Sequence, residues 1–485
     1  MAETIHFGTD GWRGVIARDF TFANVARVGD ALAAFFLDPK RRELPFYREW
    51  GVAFRGGEAG VYVGYDTRFL SRAFAETIAR ALVRQSIPAW VTAYPVPTPA
   101  LSYMVTFRSL AGGVMITASH NPPEYNGVKL KPEYGGSATK EATDLVEAHL
   151  PDRPPELGDG AVGTVDIREA YLGALESKVD MRAIGDIPLH VVVDPMYGSA
   201  QGYLAELLAR HGIAHTAIRS HIDPLFGGKK PEPLPEFMGP TRAVIRSLRA
   251  RVRRRILVGL ITDGDGDRAA AMDEEGNFLD THRTSSLILW HLIHNRSERG
   301  VVLKSFALTD LITKIAADAG LEVREIKIGF KWAVEGLFRG EAMFAAEESG
   351  GYGYRWHLPE RDGILAGLLL LELIAATGKG LGKLLAELFR RYGPHHYHRM
   401  DLALPERREV VERIKASPPD SVAGHRVRAV ETLDGVKLRF RNGWLLFRAS
   451  GTEPILRVYC EMDSPKAVEE VISAGVELAK EAAHG

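Results

Sequence analysis

Three stretches of the chain repeat one pattern of apolar and polar positions. Val61–Tyr65, His190–Val193 and Val301–Leu303 are short runs rich in β-branched residues, and each predicts a strand. Each is followed by a polar loop: Asp66-Thr67-Arg68, Asp194-Pro195 and Lys304-Ser305. Apolar residues at helical spacing then continue to Leu82, Leu208 and Ala317. The pattern predicts three α/β units. Glu406–Lys415 and Lys466–Ala483 read as charged helices, with strands at Val436–Phe440 and Trp444–Phe447 between them, so the C-terminal segment reads as a smaller α+β domain. Pro151–Gly163, Leu225–Pro240 and Tyr392–His395 are Pro/Gly-rich breaks. Ile364–Ala376, interrupted by Glu372, falls short of the roughly 20 residues of a membrane span and predicts a buried helix.

Composition narrows the function classes. With 485 residues and 46% hydrophobic positions, there is material for several cores. Lysine and arginine total 61 against 62 acids, a balance that argues against nucleic acid or an anionic membrane as partner. The single cysteine, Cys460, excludes a disulfide framework and a multi-cysteine zinc site and fits a reducing compartment. The polar N-terminus shows no secretory signal, so a cytoplasmic location is expected and the sequon at Asn295 carries no weight. Gly378–Lys383 is glycine- and lysine-rich, but Leu384 replaces the hydroxyl of a P-loop and no strand precedes it. Arg246–Arg255 holds six arginines, yet Val244, Leu248 and Val252 recur every four residues, as in an amphipathic helix with a solvated basic face.

The strongest chemical signal is Asp263-Gly264-Asp265-Gly266-Asp267-Arg268, directly after the apolar strand Ile256–Ile261. Alternate glycines let three carboxylates converge, and all-oxygen ligation suits magnesium or calcium. An EF-hand is disfavoured because Arg268 stands at the loop's sixth position and a strand replaces the incoming helix. Thr117-Ala118-Ser119-His120-Asn121-Pro122 follows the strand-like Gly113–Ile116 and exposes a serine at a corner, a candidate nucleophile without the glycines of a hydrolase elbow. Ala346–Gly353 offers Glu347, Glu348 and Ser349 in a glycine-rich loop suited to sugar hydroxyls. Arg448–Pro454 places a guanidinium, two hydroxyls and glycine-exposed amides in one tight loop, a phosphate cradle.

These motifs, in this order and with Phe7–Gly14 at the N-terminus, resemble the α-D-phosphohexomutase family over nearly the whole chain. The resemblance implies three related α/β domains with mixed sheets and a smaller C-terminal α+β domain around a central cleft, with boundaries at 1–155, 164–277, 278–393 and 397–485. It implies a phosphate carried on Ser119, and one magnesium ion held by Asp263, Asp265, Asp267 and the phosphoserine. Arg13, Lys129 and Arg268 would stabilise the transferring phosphoryl group, with His120, Lys129 and Lys131 as candidates for general acid and base. Lys304, Gly329, Phe330, Lys331, Glu347 and Ser349 would meet the sugar, and Arg448, Ser450, Gly451 and Thr452 the phosphate that does not react.

The implied activity interconverts hexose 1-phosphate and hexose 6-phosphate through a hexose 1,6-bisphosphate, with glucose 1,6-bisphosphate as activator. Gly351 stands where many dual glucose/mannose members have histidine, Glu348 where glucosamine-type members have glutamine, and Gly329–Trp332 looks like phosphoglucomutases. Glucose phosphate is therefore the expected substrate, with mannose phosphate the runner-up, ahead of glucosamine phosphate. A magnesium-dependent phosphatase or a non-catalytic sugar-phosphate binder are the readings from other classes. A phosphosugar is the expected partner, with no nucleic acid or membrane, and the chain is expected to be a monomer or homodimer. Residues 38–60 look longer than the family pattern and receive no role.

Overall fold

The computed structural model describes residues 5–8, 10–158, 160–252, 254–451 and 454–484. Thr9, Arg253, Thr452 and Glu453 of the motifs above lie outside them. Two compact units result: residues up to Val301 together with Gly329–Gly382, and Val302–Ile328 together with Lys383–Gly485. Residues 302–328, which the sequence groups with 278–393, thus pack with the C-terminal region.

The first unit holds two mixed sheets. One runs in the order Trp12–Val15, Tyr125–Lys131, Gly112–Ile116, Val61–Tyr65, Ala89–Thr92, Gly163–Val165. Its middle strands are parallel and Tyr125–Lys131 runs antiparallel to both neighbours. Val61–Tyr65 and Gly112–Ile116 are buried throughout, which is why they read as continuous apolar runs rather than alternating ones. The end of the expected linker forms the edge strand Gly163–Val165, paired to Trp90–Thr92. Its three residues are too few to show a period. The second sheet orders Phe278–Leu279, Ala269–Met272, Ile256–Thr262, Leu189–Asp194 and Ala214–Ala217. Helix Gly239–Arg251 packs Ile245 on this sheet, with Val244, Leu248 and Val252 partly buried beside it, as its apolar spacing requires. Ala342–Ala346 pairs with Tyr352–Tyr354. Helix Gly363–Thr377 is the buried helix expected from 364–376, capped by Asp362 and ended by Gly378 at φ 64°. No single helix among the described residues is long and apolar enough to cross a membrane.

Residues 38–60 wrap around one side chain. Arg41 is wholly buried, pairs with Glu133 and Tyr47, and lies against the rings of Phe35, Phe36 and Phe54. The segment is thereby fastened just beyond strand Tyr125–Lys131.

In the second unit, Val301–Ser305 pairs in parallel with Val323–Ile326. An antiparallel sheet orders His396–Ala403, Ile455–Met462, Trp444–Ala449, Val436–Arg439 and Ala429–Glu431. Helices Arg407–Ala416 and Pro465–His484 close its core through Val410, Ile414, Val471 and Ile472.

Candidate active site

Ser119 sits three residues beyond strand Gly112–Ile116 with φ 53°, a left-handed pose that costs a non-glycine residue about 1–2 kcal/mol. Thr117 Oγ1 accepts from its amide at 2.9 Å. This turn brings Ser119 Oγ to 3.0 Å from Asp263 Oδ2 and 3.3 Å from His120 Nδ1, in a buried position. Burial, together with Arg268, Arg13, Lys129 and Arg68, holds His120 well below the usual histidine range, so its imidazole is neutral. Arg13, on strand Trp12–Val15, donates to Asn121 Oδ1 at 2.6 Å.

The acidic loop follows strand Ile256–Thr262, with Gly266 at φ 73° making the turn. Asp263, Asp265 and Asp267 are all fully buried, each presenting a carboxylate oxygen within 4.8 Å of the others. Lys129 Nζ lies 2.8 Å from Asp265 and 3.1 Å from Asp267, and also 2.8 Å from Asp10. Burial and the two neighbouring aspartates push Asp263 well above the usual carboxylate range. Burial would raise Asp265 too, but Lys129 and the Thr98 hydroxyl at 2.7 Å keep it low. Asp265 Oδ1 and Asp267 Oδ1 are buried without a hydrogen-bond partner. Two orphaned oxygens beside a third, repelled carboxylate and a serine hydroxyl form a donor set that fits a hard divalent cation.

The expected sugar loop packs beside this cluster. Ala269 N donates to Gly350 O at 2.9 Å, and Arg268 bridges Gly351. Glu347 is buried, and burial with Glu348 nearby raises it to about 7 against the pull of Arg361. Ser349 Oγ lies 3.5 Å from Glu347 Oε2. Phe330 is buried with Arg361 over its ring, Gly329 has φ 121°, and burial lowers half-buried Lys331.

Arg361 was not expected from sequence. Its guanidinium reaches Asp10 at 2.7 Å, Asp267 at 2.8 Å, Glu360 at 3.2 Å and Glu347 at 3.7 Å, linking the acidic loop to the sugar loop. Lys131, a candidate acid or base, is paired with buried Glu360. Thr98 was also missed, and Asp10 stood in the Phe7–Gly14 motif without a role of its own. The charged triplet Glu360-Arg361-Asp362 before an apolar helix was the available signal, but it reads equally as a helix cap.

The second unit holds the remaining candidates. Lys304 is fully buried, 2.7 Å from Asp310 and 3.0 Å from Glu325. Arg448 Nε donates to Asp434 Oδ2 at 3.0 Å. Ser450 is buried, its amide donating to Ile455 O and its carbonyl accepting from Arg407, while Gly451 is exposed. Thr452 is outside the described residues.

Family models described as phosphoglucomutase/phosphomannomutase match in four consecutive pieces: alpha/beta/alpha domain I at residues 4–154, domain II at 169–276, domain III at 280–392 and the C-terminal domain at 404–477. A crystal structure from Thermus thermophilus, provisionally named as a phosphomannomutase, is 37% identical with a TM-score of 0.85, covering 99% of this chain and 100% of that one. A phosphoglucomutase/phosphomannomutase of Thermococcus kodakarensis is 29% identical over 99% of both chains. A phosphoglucosamine/phosphogalactosamine mutase of Sulfurisphaera tokodaii is 27% identical over 96% of this chain and 97% of its own. The chain belongs to the phosphohexomutase family, whose members are intramolecular phosphotransferases.

Proposed function

We propose that this phosphohexomutase interconverts glucose 1-phosphate and glucose 6-phosphate, with Ser119 as the phosphate carrier. The observation that carries the reading is Ser119 Oγ, 3.0 Å from Asp263, one of three buried aspartates whose carboxylate oxygens lie within 4.8 Å of one another. These three aspartates and Ser119 are the groups that would hold a magnesium ion. When bound, the ion supplies charge neutralisation at the phosphoryl oxygens.

Phosphoryl transfer depends on in-line positioning and charge stabilisation. Arg13, Arg268 and Lys129 give the Ser119 loop the positive field a phosphoserine requires, since all three act electrostatically on His120. In the forward step the Ser119–phosphate bond breaks as the sugar hydroxyl oxygen bonds phosphorus, and the hydroxyl proton ends on the freed Ser119 Oγ. In the return step Ser119 Oγ attacks the other phosphate of the glucose 1,6-bisphosphate, its proton passes to neutral His120 at Nδ1, and the sugar oxygen takes that proton up as its bond to phosphorus breaks. Glu347 and Ser349 read ring hydroxyls from the loop at 347–351. In the second unit Arg448, Ser450 and Gly451 provide a phosphate-binding loop.

Glucose is favoured by the likeness of Gly329–Trp332 to phosphoglucomutases, and Gly351 replaces the histidine of many dual glucose/mannose members. A Cβ there would fall 2.3 Å from Arg361 Cδ, so Arg361 occupies the space that a histidine would need. Mannose phosphate is the second reading, since the matched models carry both names. Turnover of glucose 1-phosphate, mannose 1-phosphate and glucosamine 1-phosphate, each with its bisphosphate activator, decides between them. Higher kcat/KM for mannose 1-phosphate than for glucose 1-phosphate would overturn the glucose assignment.

A further inference from the structure

The Asp66-Thr67-Arg68 loop is one of the three polar loops after strands, and the chemistry above leaves it unused. Arg68 is wholly inaccessible to solvent. Its Nη1 donates to the carbonyls of Pro122 at 2.7 Å and Tyr125 at 3.0 Å. Its Nη2 donates to the carbonyls of Ser119 and Asn121, both at 2.6 Å. Nε is held by Asp66 at 3.1 Å, and Asp66 also accepts from Thr117 Oγ1 at 2.6 Å and Ser71 Oγ at 2.8 Å. One guanidinium therefore gathers four backbone carbonyls of the loop that carries Ser119. Such charge-assisted bonds are shorter and stronger than neutral ones.

The other side of Arg68 faces a different domain. The guanidinium carbon lies 4.9 Å from the centroid of the Phe226 ring. Phe226, Gly227 and Gly228 are three successive residues at φ 51°, 66° and 72°, a costly run of left-handed backbone for a residue with a large side chain. Phe226 is nonetheless buried. Next door, Thr67 Oγ1 donates to the carbonyl of Tyr197 at 2.9 Å. The two catalytic loops also meet backbone to backbone: a Cβ at Gly264 would fall 2.5 Å from the Ser119 carbonyl oxygen, the same oxygen that Arg68 holds.

We propose that Arg68 is a positioning residue for phosphoryl transfer, clamped between the carbonyls of residues 119–125 and the ring of Phe226, where it sets Ser119 Oγ against the three aspartates. The inference rests on the reading of Ser119 as carrier. It explains how a left-handed serine is kept in register with a metal loop that belongs to another domain. Lysine cannot replace arginine here, because one ammonium cannot present the planar fork that reaches four carbonyls and the ring together.

The test uses the full-length enzyme with Arg68→Lys, Phe226→Leu and the double variant. Two quantities are read: steady-state kcat and KM for glucose 1-phosphate, and the rate at which glucose 1,6-bisphosphate phosphorylates Ser119, followed by intact mass. Arg68→Lys is expected to lower kcat and the phosphorylation rate together by roughly 10- to 100-fold, the scale of an ångström-sized misplacement. KM stays within about twofold, since the sugar loop is untouched, and magnesium binding to the dephosphorylated enzyme is unchanged. Phe226→Leu gives a smaller loss of the same kind, and the double variant loses less than the product of the two.

Wild-type kcat in both single variants, a loss expressed in KM alone, or strictly multiplicative losses would each overturn the brace. Should Arg68→Lys fail to fold, Phe226→Leu decides alone: lowered kcat with unchanged KM supports the proposal, and wild-type kcat overturns it. If wild-type Ser119 takes up no phosphate, the carrier reading fails and this proposal falls with it. A phosphorylated wild type with unimpaired variants sinks the brace only.

Discussion

Two clusters of charge sit in this protein, and their carboxylates are hydrogen-bonded to different degrees. In the second unit, Asp310 and Glu325 meet Lys304, Lys437 and Arg439, and all four carboxylate oxygens are matched. Asp310 Oδ1 takes Lys304 at 2.7 Å and Oδ2 takes Arg439 at 2.7 Å. Glu325 Oε1 takes Lys304 and Arg439, both at 3.0 Å, and Oε2 takes Lys437 at 3.1 Å. Glu431 joins them as a third acid, 3.0 Å from Arg439 and 3.7 Å from Lys437, so acids and cations are equal in number; burial and Lys304 push Lys437 down to about 8 while its ammonium rests 3.7 Å from the centre of the Phe306 ring. In the first unit Asp10, Asp263, Asp265 and Asp267 stand against Lys129, Arg361, Arg13 and Arg268. Numbers balance there too, but Arg268 comes no nearer than 3.8 Å to Asp267, and Asp265 Oδ1 and Asp267 Oδ1 are left without a hydrogen-bond partner. A matched network is a fastening; an unmatched one is a site for something that arrives.

The largest effect that could break this contrast is on Ser119. Ser119→Ala should abolish turnover, by at least about a thousandfold as for other covalent nucleophiles, with the melting temperature little changed. A variant with wild-type activity would show that the unmatched cluster does not serve a serine. Next is Asp263→Asn, which removes the carboxylate that Asp265 and Asp267 repel. Activity should drop by roughly 100-fold and magnesium should bind more weakly. Without metal, the same variant should unfold no more easily than wild type, because repulsion among buried carboxylates is relieved. Lower apo stability in Asp263→Asn would mean that the Asp263 carboxylate is matched within the protein.

How far the sequence discloses each cluster follows from distance along the chain. The acidic loop is a local pattern: three carboxylates and two glycines within five residues, after an apolar strand. Ser119 at a strand end is local as well. Arg361 was hidden because its partners lie at positions 10, 267, 347 and 360, and no spacing rule connects them. Lys304 shows the reverse difficulty. A lysine in the loop after a strand suits a ligand site, yet its two carboxylates come from residues 310 and 325, and only the folded chain reveals that they enclose it. Residues 38–60 received no role because Arg41 finds Glu133 across 92 positions.

Lys304 is where the contrast can be sharpened. Lys304→Met leaves Asp310 and Glu325 to Arg439 and Lys437. Removing one partner from a buried network costs about 3–5 kcal/mol, and the bonds that Arg439 and Lys437 keep to the two carboxylates place this case at the lower end. Unfolding in urea, followed by the fluorescence of the second unit's Trp444, should show the loss, with KM for glucose 1-phosphate within about twofold of wild type. If the resemblance-based role is right and Lys304 meets the sugar, the outcome inverts: KM rises about tenfold and stability holds.

The smallest effect concerns Glu347, which belongs to the unmatched side. Burial lifts it to about 7, Glu348 adds to the lift, and Arg361 at 3.7 Å is too distant to cancel them. An unfolded chain titrates near the ordinary glutamate value of 4.5. Between that value and 7 the native state holds a proton that the unfolded state has released, so native stability falls as pH rises through this window. Above pH 7 the loss is complete, because both states are then ionised. Below pH 4.5 it is absent, because both are protonated. Glu347→Gln has no proton to lose there. The stability of the variant minus that of wild type should therefore increase from pH 5 to pH 8, by about 1–3 kcal/mol, while Asp263 and the other acids contribute equally to both proteins and cancel. Turnover of sugar phosphates should fall severalfold at pH 8, where ionised Glu347 accepts at both terminal oxygens and glutamine cannot. Urea titrations of the two proteins at pH 5 and pH 8 measure the difference. A constant difference would mean that Glu347 is already matched by Arg361.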